Sequence, residues 1–338
     1  MEDFQAILDQ YQVKLEFAEQ HSPRLIKVYS PQGTFALKKL RASRSAVFED
    51  RVRSVYEAGY TNLIPIYRNV HNQLVTAGRQ DYYYLMPWLP DSQSDERSAR
   101  HDYLFKETAK LHRKTLQEIK LKGGEAEASF EATKKRWEEQ KNAYEAYVEK
   151  CEKQWYLSPF ELQAVTYFVE AARATDFAIE RLEEWNEAMK EKETARTSFI
   201  HGNLSVQHVV YDSSEKSYLI NFEKARRAAP MNDLLQFYYK TFNTYPIRCE
   251  ECVDWFYTYQ KDFPFTKEEM PLFISYLSYP EALYRTVLAP GNQMNKPSQL
   301  QQNKDLIKAY WYFKNNEYFV MRLVDIENKK KAEAQTEG

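Results

Sequence analysis

The pattern of apolar residues changes near residue 90, and this change constrains the fold more than any other feature of the sequence. Before it, the runs RLIKVYS and GTFALKKL are separated by the turn PQG, and so short a connection predicts a β-hairpin. LIPIYRNV and YYYLMPWLP have the composition of two further strands. Residues 1–88 are therefore predicted to form a small sheet with one crossing helix.

The crossing helix is predicted from SAVFEDRVRSVYEAGY, and Gly59 marks its end. Its apolar residues recur at helical spacing. The predicted buried side contains Val47, Phe48, Val52, Val55 and Tyr56. A helix of this length is expected to cover one face of the small sheet.

Beyond residue 91 the pattern is almost wholly helical. In DYLFKETAKLHRKT, a stripe at three- and four-residue spacing contains Leu104, Thr108, Leu111 and Thr115. Further helices are predicted in NDLLQFYYKTF, CEECVDWFYTYQKDF, PEALYRTVL and QQNKDLIKAYWYFKNNEYFVMRL. The fold class is therefore α+β, with a helical lobe over residues 89–327. Residues 328–338 lack apolar anchors and are expected to fray.

Two long helices are predicted to form a hairpin over about residues 125–190. The seam of the first contains Phe130, Trp137, Tyr144, Tyr147, Val148, Cys151 and Trp155. The second begins at SPFE, where Ser158 and Glu161 have the spacing of a capping box. Its predicted buried face contains Val165, Phe168, Ala172, Ile179, Leu182 and Met189.

Composition limits the classes of partner. A length of 338 residues exceeds the usual span of one hydrophobic core and predicts two lobes. A net charge of −2 gives no basic field that would attract nucleic acid, and no run of apolar residues is long enough to cross a membrane. The first residues lack a secretion signal, so synthesis in the cytoplasm is expected.

Cysteine and tyrosine use adds two expectations. Cys151, Cys249 and Cys252 are too few for a disulfide framework, and the lone CEEC without a second pair does not predict a zinc or redox site. The 26 tyrosines are expected mostly in cores, but their excess leaves room for a surface built for protein association.

Six stretches, FALKKL, MPWLPD, ETAKLH, FIHGNLSVQHVV, YLINFEKA and PMNDLLQF, follow one another in this order. Together they resemble the protein-kinase-like bilobal fold and, more narrowly, the aminoglycoside and choline phosphotransferases. Within that branch the chain is similar to the spore coat proteins of the CotS and YutH type from endospore-forming bacteria. The resemblance spans nearly the whole chain, and its most specific part is the tandem of FIHGNLSVQHVV and YLINFEKA.

The resemblance implies a phosphate-binding lysine on the third strand, which is Lys38 here. Strand alternation places Ala36, which would face an adenine, on the same side as Lys38. The lysine's expected partner is an acid on the crossing helix, with Glu49 favoured over Asp50 and Glu57. No glycine precedes Gly33, so a glycine-rich phosphate cradle is expected to be absent or remodelled.

The catalytic loop of the family reads His-Gly-Asp with an Asn five positions after the Asp, and the corresponding residues are His201, Gly202, Asn203 and His208. His201 is implied to pack beneath the loop as a structural residue. Asn203 stands where the catalytic base belongs, and an amide cannot accept the proton of an attacking hydroxyl. His208 stands where magnesium is held, and an imidazole is a poor ligand for that ion.

The second loop of the family carries a metal-binding Asp followed two residues later by an acid. Here INFE supplies Asn221 and Glu223. Asn221 lacks the charge that holds a divalent ion, and Glu223 is the one substitute ligand if the segment is extended. Asp233 in PMNDLLQF matches an aspartate that starts a helix and braces the catalytic loop through backbone hydrogen bonds.

The resemblance and the three replacements together favour a catalytically impaired, kinase-like structural or assembly component of the spore coat. Its expected partners are other coat proteins, bound through the tyrosine-rich helical lobe, and no cofactor is expected. Two alternatives remain open at this point. One is a phosphotransferase with an altered metal site that uses ATP and magnesium, and the other is a sensor that binds a nucleotide or metabolite in the interlobe cleft without turnover.

Overall fold

The computed structural model describes residues 4–89, 97–212, 214, 216–244, 246–289 and 298–336. The fold is α+β, as predicted. The chain divides into two compact units. The first comprises Met1–Gln117 and Thr197–Asp233, and the second comprises Glu118–Arg196 and Leu234–Gly338. The lobe boundary predicted at residues 88 and 89 adjoins residues 90–96, which lie outside the described part of the chain.

The first unit contains a five-stranded antiparallel sheet with the strand order β1-β2-β3-β5-β4. Its strands are β1 Phe17–Ser22, β2 Leu25–Ser30, β3 Gly33–Leu40, β4 Thr76–Ala77 and β5 Tyr82–Pro87. β2 and β3 form the predicted hairpin, with Leu25 opposite Lys38. Lys38 in turn lies opposite Tyr84 of β5, so a central strand carries the lysine.

Helices α1 (Phe4–Asp9) and α2 (Ala42–Glu57) accompany this sheet. α2 is the predicted crossing helix, and Phe48, Val52 and Val55 are buried on it. Val47 and Tyr56, predicted on the same side, are exposed instead, because they lie at the edges of this narrow stripe. α1 was not predicted, since six residues are too few to show a helical period.

The segment LIPIYRNV is not a strand of this sheet, and that prediction is wrong. It makes isolated backbone bonds instead of a ladder: the Ile64 N–H donates to the Leu219 carbonyl at 3.0 Å, and the Tyr67 N–H donates to the Leu85 carbonyl of β5 at 2.9 Å. Leu63 makes a single parallel bridge with Leu219. Apolar composition alone does not distinguish such a buried connector from a strand.

The first unit also contains α3 and short strands that carry the two loops of interest. Their bounds are α3 Arg97–Lys114, β8 Val209–Tyr211, β9 Ser217–Leu219 and β10 Arg226–Ala228. β10 pairs antiparallel with the end of β7 (Thr194–Ile200), from Arg226 opposite Ile200 to Ala228 opposite Ser198. The stripe predicted on α3 is buried at all four positions.

The second unit is mostly helical. Its elements are β6 Gln117–Lys120, α4 Glu125–Glu152, α5 Pro159–Met189, α6 Met231–Phe242, α7 Glu250–Asp262, α8 Glu269–Ser278, α9 Glu281–Val287 and α10 Gln299–Thr336, except that Gln117 and the first turn of α6 up to Asp233 belong to the first unit. α4 and α5 form the predicted helical hairpin. Ser158 and Glu161 make both hydrogen bonds of the capping box that starts α5. α8 was not predicted, and none of the helices in the described residues is both long and apolar enough to cross a membrane.

The core of the second unit is rich in tyrosine. The buried tyrosines are Tyr144, Tyr238, Tyr259, Tyr279 and Tyr284, and most of the other described tyrosines of this unit are partly buried. Trp137 stacks on Tyr279 with ring centroids 4.3 Å apart, and the Tyr144 hydroxyl donates to the Ala164 carbonyl at 2.6 Å. On α5 the fully buried line contains Ala164, Ala171, Thr175, Ala178, Leu182, Asn186 and Met189. Of the predicted face, Leu182 and Met189 belong to this line, while Val165, Phe168 and Ile179 are partly buried beside it.

Three further expectations for this unit are corrected. Trp155 does not belong to the seam of α4, because the helix ends at Glu152 and the indole is 89% exposed. Cys249 and Cys252 form a disulfide, since their separation at the start of α7 brings their Cα atoms to 5.3 Å, within bridging range. The tail expected to fray is helical up to Thr336, because Lys, Ala, Glu and Gln are strong helix formers.

Candidate functional site

Lys38 is the centre of a buried polar group in the first unit. Its ammonium lies 2.6 Å from Oε1 of Glu223 and also donates to Oδ1 of Asn221. The Tyr84 hydroxyl donates to Glu223 at 2.7 Å. The side chains of Lys38 and Glu223 are only 12% and 13% exposed. The Lys38 ammonium thus already has an ionic partner and a hydrogen-bond acceptor within the chain.

The charge of Lys38 keeps Glu223 ionised. Burial acts to raise the pKa of the Glu223 carboxyl, but the Lys38 ammonium and the hydrogen bonds from Lys38 and Tyr84 outweigh it and hold that pKa below its usual value. Burial, the charge of Glu223 and the hydrogen bond to this carboxylate raise the pKa of Tyr84 well above its usual value. The group therefore contains one ammonium and one carboxylate at neutral pH.

Glu49 does not pair with Lys38, so the partner predicted on the crossing helix is wrong. Its carboxylate accepts the Leu74 N–H at 3.0 Å and lies 3.3 Å from Arg53 and 3.7 Å from Arg68. These bonds tie α2 to the segment before β4. Sequence spacing could not show this, because Glu49, Asp50 and Glu57 were all considered on the helix, whereas the acid that pairs with Lys38 is Glu223 of the second loop.

The catalytic loop is held by a buried carboxylate. Asp233 accepts the His201 N–H at 2.6 Å and the Gly202 N–H at 2.7 Å, and the His112 ring lies 3.2 Å from it. These are the backbone contacts that the sequence predicted for Asp233, although the residue sits within the first turn of α6 rather than before it. Burial opposes ionisation, but His112 and the two N–H groups hold the pKa of Asp233 below its usual value.

Gly202 is required at the centre of this loop. Its φ of +72° lies in the left-handed region, and a Cβ added there would stand 2.5 Å from the Lys224 carbonyl oxygen. Backbone to side-chain contacts this short cannot be accommodated. The compact conformation of this loop therefore depends on Gly202.

His201 lies beneath the loop and is fully buried, as the resemblance implied. Its Nδ1 accepts the Asn203 N–H at 3.2 Å, so the proton must be on Nε2, which donates to the Ile220 carbonyl at 2.8 Å. Both ring nitrogens are used to join the two loops. The ring is thereby fixed as a neutral, structural imidazole.

His208 stacks on His201, with ring centroids 5.4 Å apart. Burial lowers the pKa of the His208 imidazole to about 3, and the charge of the nearby Lys38 ammonium acts in the same direction. Its Nδ1 is buried and makes no hydrogen bond of normal geometry within the described residues. At neutral pH the position therefore offers an uncharged imidazole where the family has an asparagine.

The sequence suggested an extended segment around Asn221 and Glu223, but the structure does not show one. Asn221 has a φ of +72° and precedes a short 3-10 turn, Phe222–Lys224. Asparagine tolerates this left-handed conformation better than most residues. The turn, rather than strand alternation, brings both side chains to Lys38.

The residues present do not fit a magnesium ion. Magnesium requires oxygen ligands in octahedral geometry, usually with one or two carboxylates. Here the two positions for acids hold Asn203 and Asn221, and the remaining carboxylate, Glu223, is bound by an ammonium at 2.6 Å. Among the described residues, no group of three or more His, Cys, Asp or Glu side chains is arranged to hold a metal ion.

A cavity of about 220 Å³ adjoins this group within the first unit. Its walls include Lys38, Asn203, Asn221 and Glu223, so the structure brings together the main positions predicted from the two loops. It also contains residues that the sequence had not suggested, namely Arg24, Lys39, Arg41, Arg44 and Lys224. The only sequence signal for them is a local excess of basic residues in RASR and near the β1–β2 turn.

Comparisons with known proteins show which proteins this chain is similar to. The family described as "Phosphotransferase enzyme family" matches residues 15–251. That range contains every predicted site residue. No curated protein sequence matches the chain.

Solved structures provide independent support for the fold. An aminoglycoside phosphotransferase from Alicyclobacillus acidocaldarius is 13% identical, with a TM-score of 0.68 and 95% of both chains covered. A microcompartment-associated aminopropanol kinase is 13% identical, with a TM-score of 0.55, and 94% of this chain and 97% of that chain are covered. An AMP-bound spectinomycin phosphotransferase is 11% identical, with a TM-score of 0.53, and 92% of this chain and 97% of that chain are covered. The predicted kinase-like fold is confirmed.

Proposed function

Because the chain belongs to the phosphotransferase enzyme family, we propose that it keeps the family's fold without magnesium-dependent phosphoryl transfer and acts by associating with other proteins. The observation that carries the first part is the bond of Glu223 to Lys38 at 2.6 Å. The last acid of the site is engaged by the lysine that would otherwise bind phosphate. Neither group is available for a metal–phosphate complex unless this ion pair breaks.

Electrostatics supports the loss of the reaction. Phosphoryl transfer depends on positioning and charge stabilisation more than on covalent help from the protein. Asn203 and Asn221 remove about two negative charges opposite a divalent cation, and each close charge pair in a partly buried site counts for up to several kcal/mol before desolvation. Losing the general base lowers the rate by a further factor of about 10² to 10⁴.

The variant Asn203→Asp, His208→Asn, Asn221→Asp is expected to gain magnesium affinity, because it restores two carboxylates and an oxygen ligand. Calorimetric titration of magnesium with ATP present measures this gain. Asn142→Asp, which adds one acid on the exposed face of α4, is the matched control and is expected to change nothing. Magnesium-dependent release of γ-phosphate by the unaltered chain would contradict the proposal and favour an altered phosphotransferase.

The second part of the proposal is a structural or assembly role in the spore coat. Its support is the motif resemblance to coat-associated relatives and an exposed aromatic pair between α4 and α5. Trp155 is 89% exposed and Tyr156 is 82% exposed, and their rings contact each other edge to face. Large exposed aromatic side chains are the residues that most often anchor protein interfaces.

Replacement of this pair tests the association. The double variant Trp155→Ser, Tyr156→Ser is expected to reduce crosslinking of the folded protein to components of a spore coat extract several-fold, as read by mass spectrometry. Leu300→Ser, which removes another exposed apolar side chain from the second unit, is the matched control. Equal crosslinking by the double variant and the unaltered chain would reject this surface, and no crosslinking to coat components by either would reject the coat role.

A further inference from the structure

We propose that the cavity beside Lys38 binds the phosphoryl groups of a small anion directly through arginine and lysine side chains, without a divalent cation. The inference rests on the proposed loss of magnesium binding and concerns the same site. It differs from the family's use of a metal–nucleotide complex, because fixed cationic side chains would take over the neutralising role of the metal.

The charge of the cavity is the first observation. Six cationic side chains and one carboxylate line its volume of about 220 Å³. The carboxylate, Glu223, is neutralised by Lys38, and Lys39 is paired with Asp81 at 2.6 Å. A site of this charge repels a divalent cation and attracts a multiply charged anion.

The other four cationic side chains of the cavity form no ion pair within the described residues. None of the ion pairs among the described residues involves Arg24, Arg41, Arg44 or Lys224. Lys224 makes a 3.5 Å contact with Oδ1 of Asn203. Arginine in particular presents a planar fork of N–H donors that matches the oxygens of a phosphoryl group in a bidentate fashion.

The position of Arg24 is the second observation. It lies in the two-residue turn between β1 and β2, where Ser22 pairs with Leu25 across the hairpin. The Lys39 N–H donates to the Arg24 carbonyl at 2.9 Å, which fixes this turn beside the end of β3. Arg24 therefore reaches the cavity from a turn that contains no glycine, so a guanidinium can supply the donors that backbone amides of a glycine-rich loop would give.

Arg41 and Arg44 line the same cavity from the start of α2. Arg41 immediately precedes α2 and Arg44 lies in its first turn, with the Arg44 N–H bonded to the Arg41 carbonyl at 2.9 Å. Cations from the β1–β2 turn, β3, the start of α2 and the second loop therefore line one small volume. Repulsion among them is relieved when an anion binds, which is a physical reason for the site to be filled.

Calorimetric titrations in EDTA test the inference, with inorganic tripolyphosphate and ATP as probes. Both are expected to bind without metal, and added magnesium is expected to weaken binding because it lowers the charge of the probe. Arg24→Gln and Arg44→Gln are each expected to lower the affinity about tenfold, a typical effect of one charge-assisted hydrogen bond. Arg173→Gln on α5, an exposed arginine outside the cavity, is the matched control. Thermal unfolding of each variant verifies that it is folded.

The outcomes separate the possible ligand sources and the two proposals. Equal affinity for tripolyphosphate and ATP supports recognition of phosphoryl groups alone, and tighter binding of ATP supports an additional nucleoside contact. Binding that requires magnesium, that survives both arginine changes, or that is matched by citrate would overturn the inference. Absence of binding in EDTA would overturn it while leaving the loss of phosphoryl transfer intact. ATP turnover with magnesium, in contrast, overturns the proposed function even if metal-free binding is observed.

Discussion

Asp233→Asn is expected to lower the free energy of unfolding by about 3 kcal/mol, the upper end of the cost of leaving a buried hydrogen-bonding group without a partner. The Asp233 carboxylate is fully buried and accepts two backbone N–H groups, from His201 at 2.6 Å and from Gly202 at 2.7 Å. An amide has only one acceptor oxygen. Its NH₂ group would face one of these N–H donors, leaving that donor without a partner.

Urea unfolding at neutral pH measures this loss, with Asp254→Asn on the exposed face of α7 as the control. The pH dependence provides a second measurement. Because the folded-state pKa of Asp233 lies below its usual value, its contribution is present above the unfolded pKa of about 4 and is lost as the pH falls through the folded pKa. The variant should lose this part of the acid sensitivity. A change in unfolding free energy no larger than that of Asp254→Asn would refute the bracing role.

Lys38→Met and Glu223→Gln are each expected to destabilise the chain by about 3 kcal/mol, since either change leaves a charged partner in a mostly buried site. The side chains are 12% and 13% exposed, so water screens the remaining charge only in part. The double variant is expected to be more stable than the sum of the two single effects predicts. Replacing both members removes the unpaired charge and leaves neutral groups of similar size.

A double-mutant cycle by urea unfolding gives the coupling free energy of the pair, expected at about 2 kcal/mol or more for contacting, buried partners. Lys134→Met with Glu183→Gln is the matched control, because that ion pair is 2.7 Å long but its side chains are 30% and 48% exposed. Surface pairs are worth about 0 to 1 kcal/mol. A coupling for Lys38 and Glu223 no larger than that of the control would mean that Lys38 remains available to a ligand.

The local elements of the fold were largely predictable. The β2–β3 hairpin followed from a short turn between two β-like runs, α3 from its buried stripe, and α5 from its capping box at Ser158. The errors arose where a short apolar run is compatible with more than one secondary structure. LIPIYRNV has the composition of a strand, but the N–H groups of Ile64 and Tyr67 make only isolated bonds to the carbonyls of Leu219 and Leu85. Helix α1 was missed because it is too short to show a helical period.

The sequence predicted which residues form the site better than it predicted which of them contact each other. Residue identity shows that Asn203 cannot act as a base and that Asn221 has no charge, whatever the conformation around them. The partner of Lys38 could not be predicted in this way, because Glu49 was favoured over Asp50 and Glu57 on the helix, whereas the acid that binds Lys38 comes from the second loop. Tyr84 and Arg24 had no motif that distinguished them from other tyrosines and arginines.

The sequence by itself determined which chemical groups the site can offer, since side-chain chemistry does not depend on the fold. It also determined the periodic elements, whose contacts are local. Only the tertiary structure decided that Lys38 is bound by Glu223 and that four cations without an ion pair among the described residues line one cavity. Such contacts join residues that are far apart in the sequence; Lys38 and Asn221, for example, are 183 positions apart. Local periodicity carries no information about which distant side chains the packed chain brings together.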